Sequence, residues 1–400
     1  MRTYEKTHPW IKFQVDLKAA SPRLWMNLGE ARSKCEHIAG VPLRPSVAQE
    51  LHKLYLAKGV LGTTAIEGNT LTEEQVRQIL DGKLQLPPSK EYLQQEIENV
   101  LRACNQIGAL LAASQPVPLS VAKLKEFNAT VLDKLKVEPE VVPGQIRTYS
   151  VGVLRYRGAP AEDCEYLLQR LCDWLNGDDF NAAQSDGIVY AIIKAVLAHL
   201  YLAWIHPFGD GNGRTARLVE FQLLLTAGVP SPAAHLLSNH YNHTRSEYYR
   251  QLDYASKSGG DILPFMEYAV QGFVDGLRGQ LELVREQQWY VTWRNYVHEM
   301  FRDKVKASDI RQRHLALDLS AIATPVPLAK ITETTPRLAK TYATKSPKTL
   351  QRDLAELEKL GIVERTAEGI RAKREIILAF LPLRANANSP ASQTPAPPKP

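Results

Sequence analysis

The chain has 400 residues, 44% hydrophobic and 23% charged, the composition of a folded globular protein with room for more than one domain. Its net charge of +6 is uneven: residues 1–300 sum to −2, whereas 301–384 carry 17 basic against 10 acidic residues, which marks a separate C-terminal module suited to meeting an anion. Cys35, Cys104, Cys164 and Cys172 form no CxxC pair, the N-terminus MRTYEKTHPWIKF lacks the apolar core of a secretory signal, and the apolar run Ala191–Ile205 is broken by Lys194 and His199; these features predict a cytoplasmic protein with no disulfide framework, zinc site or membrane partner.

Helical spacing dominates up to about residue 315. Thr72 with Gln75 predicts a capped helix start, and helices are predicted over Glu91–Ala113, Leu119–Leu135, Glu162–Leu175, Asp186–Ile205, Arg214–Ala227 and Asp261–Phe301. Arg147–Arg157, after the Pro143-Gly144 turn signal, reads instead as a short β-hairpin. Beyond 310 come three short helical stretches, His314–Ser320, Leu328–Tyr342 and Pro347–Leu360. A strand at Ile362–Arg365, a turn at Glu368-Gly369 and an apolar strand near Ile376–Phe380 follow, the pattern of a winged helix-turn-helix. The Pro-, Ala- and Ser-rich residues 385–400 read as a disordered tail. The fold class is therefore mainly α, with a helical core, a hairpin and a small C-terminal winged-helix domain. The domains expected are an N-terminal helical region (1–110), a core (111–275), a connecting helix (276–312), the winged helix (313–384) and the tail.

The segment His206-Pro-Phe-Gly-Asp-Gly-Asn-Gly-Arg-Thr-Ala-Arg217 concentrates chemistry between two predicted helices. Its glycines let backbone N–H groups converge at a helix N-terminus, an anion site that the helix dipole favours. Arg214 and Arg217, three residues apart, can grip phosphate oxygens, Asp210 offers the hard oxygen ligand Mg²⁺ prefers, and His206 has a pKa suited to accepting a proton. A plain turn needs only the Asp-Gly-Asn-Gly part and leaves His206, Asp210 and both arginines unexplained.

HPFGDGNGRTAR is similar at every specified position to HxFx(D/E)GNGRxxR, the signature of Fic proteins, and the surrounding residues from about 10 to 275 resemble that family. The resemblance implies an all-helical core and the transfer of AMP from ATP to Ser, Thr or Tyr hydroxyls. It implies His206 as base, Asp210 as the Mg²⁺ ligand, and Gly211, Asn212 and Gly213 as the phosphate cradle with Asn212 near the α-phosphate. Arg214 would meet the β-phosphate and Arg217 the γ-phosphate.

Thr63-Thr-Ala-Ile-Glu67-Gly68 resembles the family's inhibitory motif (S/T)xxxE(G/N), which implies that Glu67 pairs with Arg217 and blocks the productive ATP pose; without the resemblance it reads as a helix ending at Gly68. The hairpin occupies the place of the family's flap, where Val151, Gly152, Val153 and Leu154 would register a target protein as an added strand. Tyr248 is the candidate on the adenine side. In the basic module, Ser346–Gly361 reads as a recognition helix with a buried Leu350, Leu354, Leu357, Leu360 stripe, and Lys345, Lys348 and Arg352 are candidate DNA contacts. Winged helices also bind proteins, and Asp353, Glu356 and Glu358 sit on the same helix, so DNA and protein partners both stand. The reading is an autoinhibited protein adenylyltransferase using ATP and Mg²⁺; a homodimer is compatible with it. The alternatives are a DNA-binding regulator with a nucleotide-sensing domain, or the same fold removing AMP or moving another nucleotide.

Overall fold

The computed structural model describes residues 2–113, 118–153, 156–180, 187–322 and 324–377, which divide into two compact units, Met1–Glu282 and Leu283–Pro400. The fold is mainly helical. In the first unit α1 (Thr3–Thr7), α2 (Pro22–Gly40), α3 (Pro45–Ala65), α4 (Glu73–Leu80), α5 (Glu91–Ala112) and α6 (Val121–Val131) precede a hairpin of β1 (Gly152–Val153) and β2 (Tyr156–Arg157). Then come α7 (Cys164–Asn176), α8 (Gly187–Ile205), α9 (Asn212–Thr226), α10 (Ser231–Ala234), α11 (Leu236–His243) and α12 (Arg245–Lys257), and α13 (Leu263–Met300) starts in this unit and ends in the second.

Local chemistry sets several of the boundaries. Ser21 and Ser120 accept N–H bonds that start α2 and α6, and Thr72 with Gln75 forms the expected reciprocal cap on α4. The helix expected over Leu119–Leu135 stops at Val131 because Asn99 of α5 reaches the carbonyls of Val131 and Asp133 at 3.3 and 2.7 Å, taking acceptors that a longer helix would use. The hairpin is shorter than expected: only Gly152↔Arg157 and Val153↔Tyr156 pair.

The axis of the unit is α8. Ile192, Ile193, Ala195, Leu197, Ala198, Leu200 and Ile205 are all fully buried, so the helix is apolar all round and lies inside the core. It is long and apolar enough to cross a membrane by composition, yet 72% of its apolar window is buried within the fold. The helices α2, α7 and α9 pack on it, and α3, α5 and α6 pack on α9, so the N-terminal helices and the loop-bearing helix share one core. The four cysteines are buried and unbridged.

In the second unit, Trp293 and Val297 of α13, with Phe301 just beyond it, pack with Leu315 and Leu319 of α14 (Ala307–Leu319). The same core takes Leu338 and Tyr342 from α15 (Pro336–Tyr342) and Leu350, Leu354 and Leu357 from α16 (Pro347–Lys359). An antiparallel pair, β3 (Val363–Thr366) and β4 (Gly369–Ala372), closes it. Two expectations are corrected. The stretch expected as one helix over Leu328–Tyr342 is split into a 3₁₀ turn, Leu328–Glu333, and α15, because Thr335 caps a new start at Pro336. The return strand is Gly369–Ala372, not Ile376–Phe380. The tight turn at Gly369 lets it pair at once, with Ile370 and Ala372 turned inward, while Arg374–Ile377 forms a 3₁₀ turn. Residues 378–380 and the 385–400 tail lie outside the described residues.

Candidate active site

The loop between α8 and α9 is built from both ends. His206 leaves α8 with its N–H on the Leu202 carbonyl at 2.9 Å and then turns into the left-handed region, φ +48°, unusual for a side-chain-bearing residue. Arg147, 4% exposed, holds that turn: its Nε donates to the His206 carbonyl at 2.7 Å, Nη1 to Tyr149 at 2.5 Å, and Nη2 to the carbonyls of Ala159 and, at 3.4 Å, Ile205. The carbonyls of Ile205 and His206 are among those a helix C-terminus leaves unpaired, and a cation there also suits the dipole.

Beyond His206 the loop is closed by its own side chains. Asn212 accepts the Phe208 N–H at 2.9 Å and donates to the Phe208 carbonyl at 2.8 Å. Its amide therefore shapes the loop. Gly211, at φ +75°, is the residue before α9, so the helix starts inside the motif, two residues earlier than expected. Asn128 of α6, fully buried, donates to the Asp210 carbonyl at 2.8 Å and accepts the Gly144 N–H at 2.9 Å, joining the loop to the segment that leads into the hairpin.

A cavity of about 640 Å³ opens over this loop. Its walls include His206, Asp210, Gly211, Asn212, Gly213 and Glu67, with Gly152 and Tyr156 from the hairpin and Tyr248, Tyr249 and Leu252 from α12. His206 is half-buried, and burial pushes its imidazole down to about 4; a ring bond to the Ala203 carbonyl, Glu67 and Asp210 pull the other way without restoring it. The ring is therefore neutral at physiological pH, oriented by Ala203, and able to accept a proton. Asp210 is half-exposed, and its Oδ1 takes the Gly211 N–H and, at 3.1 Å, Arg214 Nη2.

Neither arginine lines the cavity, because each is held by a carboxylate. Arg214 is 5% exposed and lies between Asp210 and the nearly buried Glu96 of α5, whose other oxygen accepts from Asn69 at 2.9 Å. Arg217 is 2% exposed; its Nη2 donates to the Thr63 carbonyl at 2.8 Å and to Glu67 Oε1 at 2.5 Å, while Nε and Nη1 find no hydrogen-bond partner among the described residues. Burial pushes Glu67 up, but the charge and hydrogen bond of Arg217, with Arg214 beyond, outweigh it and hold the carboxyl below its ordinary value. A Cβ on Gly213 would collide with that carboxylate, so this glycine lets Glu67 reach the start of α9.

Tyr248, 4% exposed, lines the cavity with its hydroxyl on His199 Nε2 at 2.8 Å. His199 Nδ1 lies 3.3 Å from Glu220, which accepts from Tyr241 at 2.9 Å, so Tyr248 is both a wall of the cavity and part of a buried polar chain. In the hairpin, Gly152 lines the cavity, Val151 accepts the Gly158 N–H at 3.1 Å, and Val153 pairs with Tyr156; Leu154 lies outside the described residues. Lys345, Lys348 and Arg352 belong to the second unit and are exposed there. Sequence reading missed Glu96, Asn128, Arg147, His199 and Glu220. The signal it held was weak: single polar residues within apolar helical stretches for four of them, and for Arg147 none beyond its place at the start of the hairpin segment.

A helical unit with a hairpin, a cavity and a glycine-bearing helix start behind a histidine defines a class of fold and site. Residues 118–224 match the model of the Fic/DOC family. The chain carries a Fic domain. It is 29% identical over 255 residues to protein adenylyltransferase fic-1 of Caenorhabditis elegans, covering 64% of this chain and 46% of the relative. To protein adenylyltransferase Fic of Drosophila willistoni it is 32% identical over 206 residues, covering 52% of this chain and 38% of the relative. The chain thus spans less than half the length of these curated relatives. In fold it is similar to a Fic family protein from Desulfovibrio desulfuricans, at a TM-score of 0.53 and 21% identity over 86% of this chain and 92% of that one. It also resembles residues 134–508 of Fic-1 from C. elegans, at a TM-score of 0.54 and 24% identity over 66% and 73%.

Proposed function

We propose that this protein transfers AMP from ATP to hydroxyl groups of proteins, and that Glu67 restrains the reaction. The observation that carries this reading is that a neutral, oriented His206 and the N-terminus of α9 open onto one cavity. A triphosphate would lie over Gly211–Gly213, where main-chain N–H groups and the helix dipole favour anions. His206 would take the proton of a target Ser, Thr or Tyr hydroxyl as its oxygen forms a bond to the α-phosphorus and pyrophosphate departs. The adenine would lie toward Tyr248, and a target segment would add to the hairpin beside Gly152.

Asp210 fits a magnesium ion, because one half-exposed carboxylate facing the phosphate site is what Mg²⁺ takes when substrate phosphates complete its shell. Magnesium bound there would neutralise phosphate charge. Arg217 would join the γ-phosphate only after Glu67 leaves it, since one nitrogen now serves the carboxylate and two have no partner among the described residues. Transfer of labelled AMP from ATP to total cell protein and to the enzyme itself tests the reading. Strong labelling is expected for Glu67→Gly, weak for the wild type and none for His206→Ala; equal labelling by wild type and Glu67→Gly would remove the brake from the reading.

A further inference from the structure

The ion pairs of the second unit decide which of its surface charges remain unpaired. The helix α16 carries three acidic residues, and each is engaged by a neighbouring cation. Asp353, 2% exposed, takes Arg311 at 2.5 and 3.0 Å, Gln312 at 3.1 Å and the Tyr342 hydroxyl at 2.9 Å. Glu356 takes Lys359 at 2.9 Å, and Glu358 takes Arg365 at 2.5 Å. Lys345, Lys348 and Arg352 remain exposed and meet no carboxylate among the described residues. The sequence composition of α16 is mixed, but the surface of its N-terminal half is basic.

We propose that the second unit is a winged helix that binds duplex DNA, with the N-terminal half of α16 entering the major groove. Four residues, 343–346, join α15 to α16, and Ser346 with Pro347 starts the second helix. Leu350, Leu354 and Leu357 face the core, so Gln351 and Arg352 stand outward, and Lys348, four residues before Arg352, shares its face. Behind the helix pair, β3 and β4 form a hairpin, and Val326 extends it by exchanging two 2.8 Å bonds with Ile370. A helix about 10–12 Å across with its side chains matches a major groove about 12 Å wide. Lysines and an arginine without internal partners can pair with phosphates and release counterions on binding, whereas cations already held by carboxylates cannot. This inference concerns the second unit and is independent of the nucleotide site.

Fluorescence anisotropy of the full chain with a labelled mixed-sequence duplex of about 20 base pairs tests it, since two helical turns exceed the footprint of one helix. The wild type is expected to bind, with affinity falling steeply as salt rises. Lys345→Glu/Lys348→Glu/Arg352→Glu should weaken binding by roughly tenfold or more and lower the salt slope by about 2–3, while Arg302→Glu/Lys304→Glu, changing the charge of the same unit elsewhere, should leave both nearly unchanged. Unchanged binding by the triple variant, or displacement of the duplex by polyglutamate as readily as by unlabelled duplex, overturns the proposal in favour of no site or of an acidic protein partner. Should the glutamate variant melt early, the corresponding triple glutamine variant is read in its place by the same criterion.

Discussion

Glu67 Oε1 accepts a hydrogen bond from Arg217 Nη2 at 2.5 Å across 150 residues of sequence, and Gly213 leaves the space in which the two meet. The arginine sits fully buried behind the carboxylate, so any anion that would use it must first displace Glu67. A charge-assisted bond of this kind is worth about 1.5–3 kcal/mol, or roughly ten- to a hundredfold in an equilibrium. Glu67→Gly should raise the initial rate of AMP incorporation within that range. Glu67→Gln, which keeps the shape and loses the charge, should fall between Gly and the wild type. Initial rates at saturating ATP check this ordering.

The pH profile of Glu67→Gly should lack a limb near pH 6.5. In the folded protein His206 is lowered to about 4, so it stays neutral and able to accept a proton down to that pH. Because Glu67 raises this pKa, removing it moves the limb lower still. The stability sign follows from linkage: between about 4 and the ordinary value of 6.5 the unfolded chain binds the proton and the folded chain does not, so this residue's contribution is present above 6.5 and is lost as pH falls toward 4. Rates and thermal melts measured from pH 8 down to pH 4.5 check both; a rate limb centred at 6.5 contradicts the assignment.

Arg147 should behave as a positioning residue. Its guanidinium serves the carbonyls of Tyr149, Ala159, Ile205 and His206, and so fixes the left-handed turn that presents the His206 ring. Arg147→Ala strands several buried acceptors and should cost about 3 kcal/mol or more. Arg147→Lys should recover part of the stability, yet little of kcat, because an ammonium cannot span the same four carbonyls in one plane. Chemical denaturation beside kcat and KM separates the two effects.

Gly211→Ala should slow transfer and cost about 1–2 kcal/mol. Its φ of +75° strains any residue with a Cβ, and the added carbon would lie 3.0 Å from Asn128 Nδ2, pressing on the bond that ties the loop to α6. Denaturation midpoints and ATP affinity by calorimetry check both parts.

The legible parts of this protein are those fixed within a few residues. The Thr72–Gln75 cap and the near-complete extents of α5, α8 and α13 follow from capping chemistry and apolar spacing. The loop His206–Arg217 could also be read directly, since histidine, glycines, acid and arginines lie in one run. The misread boundaries share a cause: side chains from elsewhere, or a tight turn, decide where an element ends. Asn99 ends α6 from a different helix, and the early turn at Gly369 sets β4 before the apolar residues that suggested a strand.

Residue identity and local spacing, then, already specified a helical protein with a glycine-bearing helix start behind a histidine and a basic C-terminal module. Tertiary structure decided which charges are available. Arg214 and Arg217 look equally accessible in the motif; the Glu67–Arg217 pair, 150 residues apart, was implied only by resemblance, and nothing in the sequence pointed to Glu96, 118 residues from Arg214. On α16 the mixed charges resolve into a basic face only because Arg311, Lys359 and Arg365 engage its acids. Charge pairing depends on distances in space and on removal from water, and no spacing along a chain encodes either.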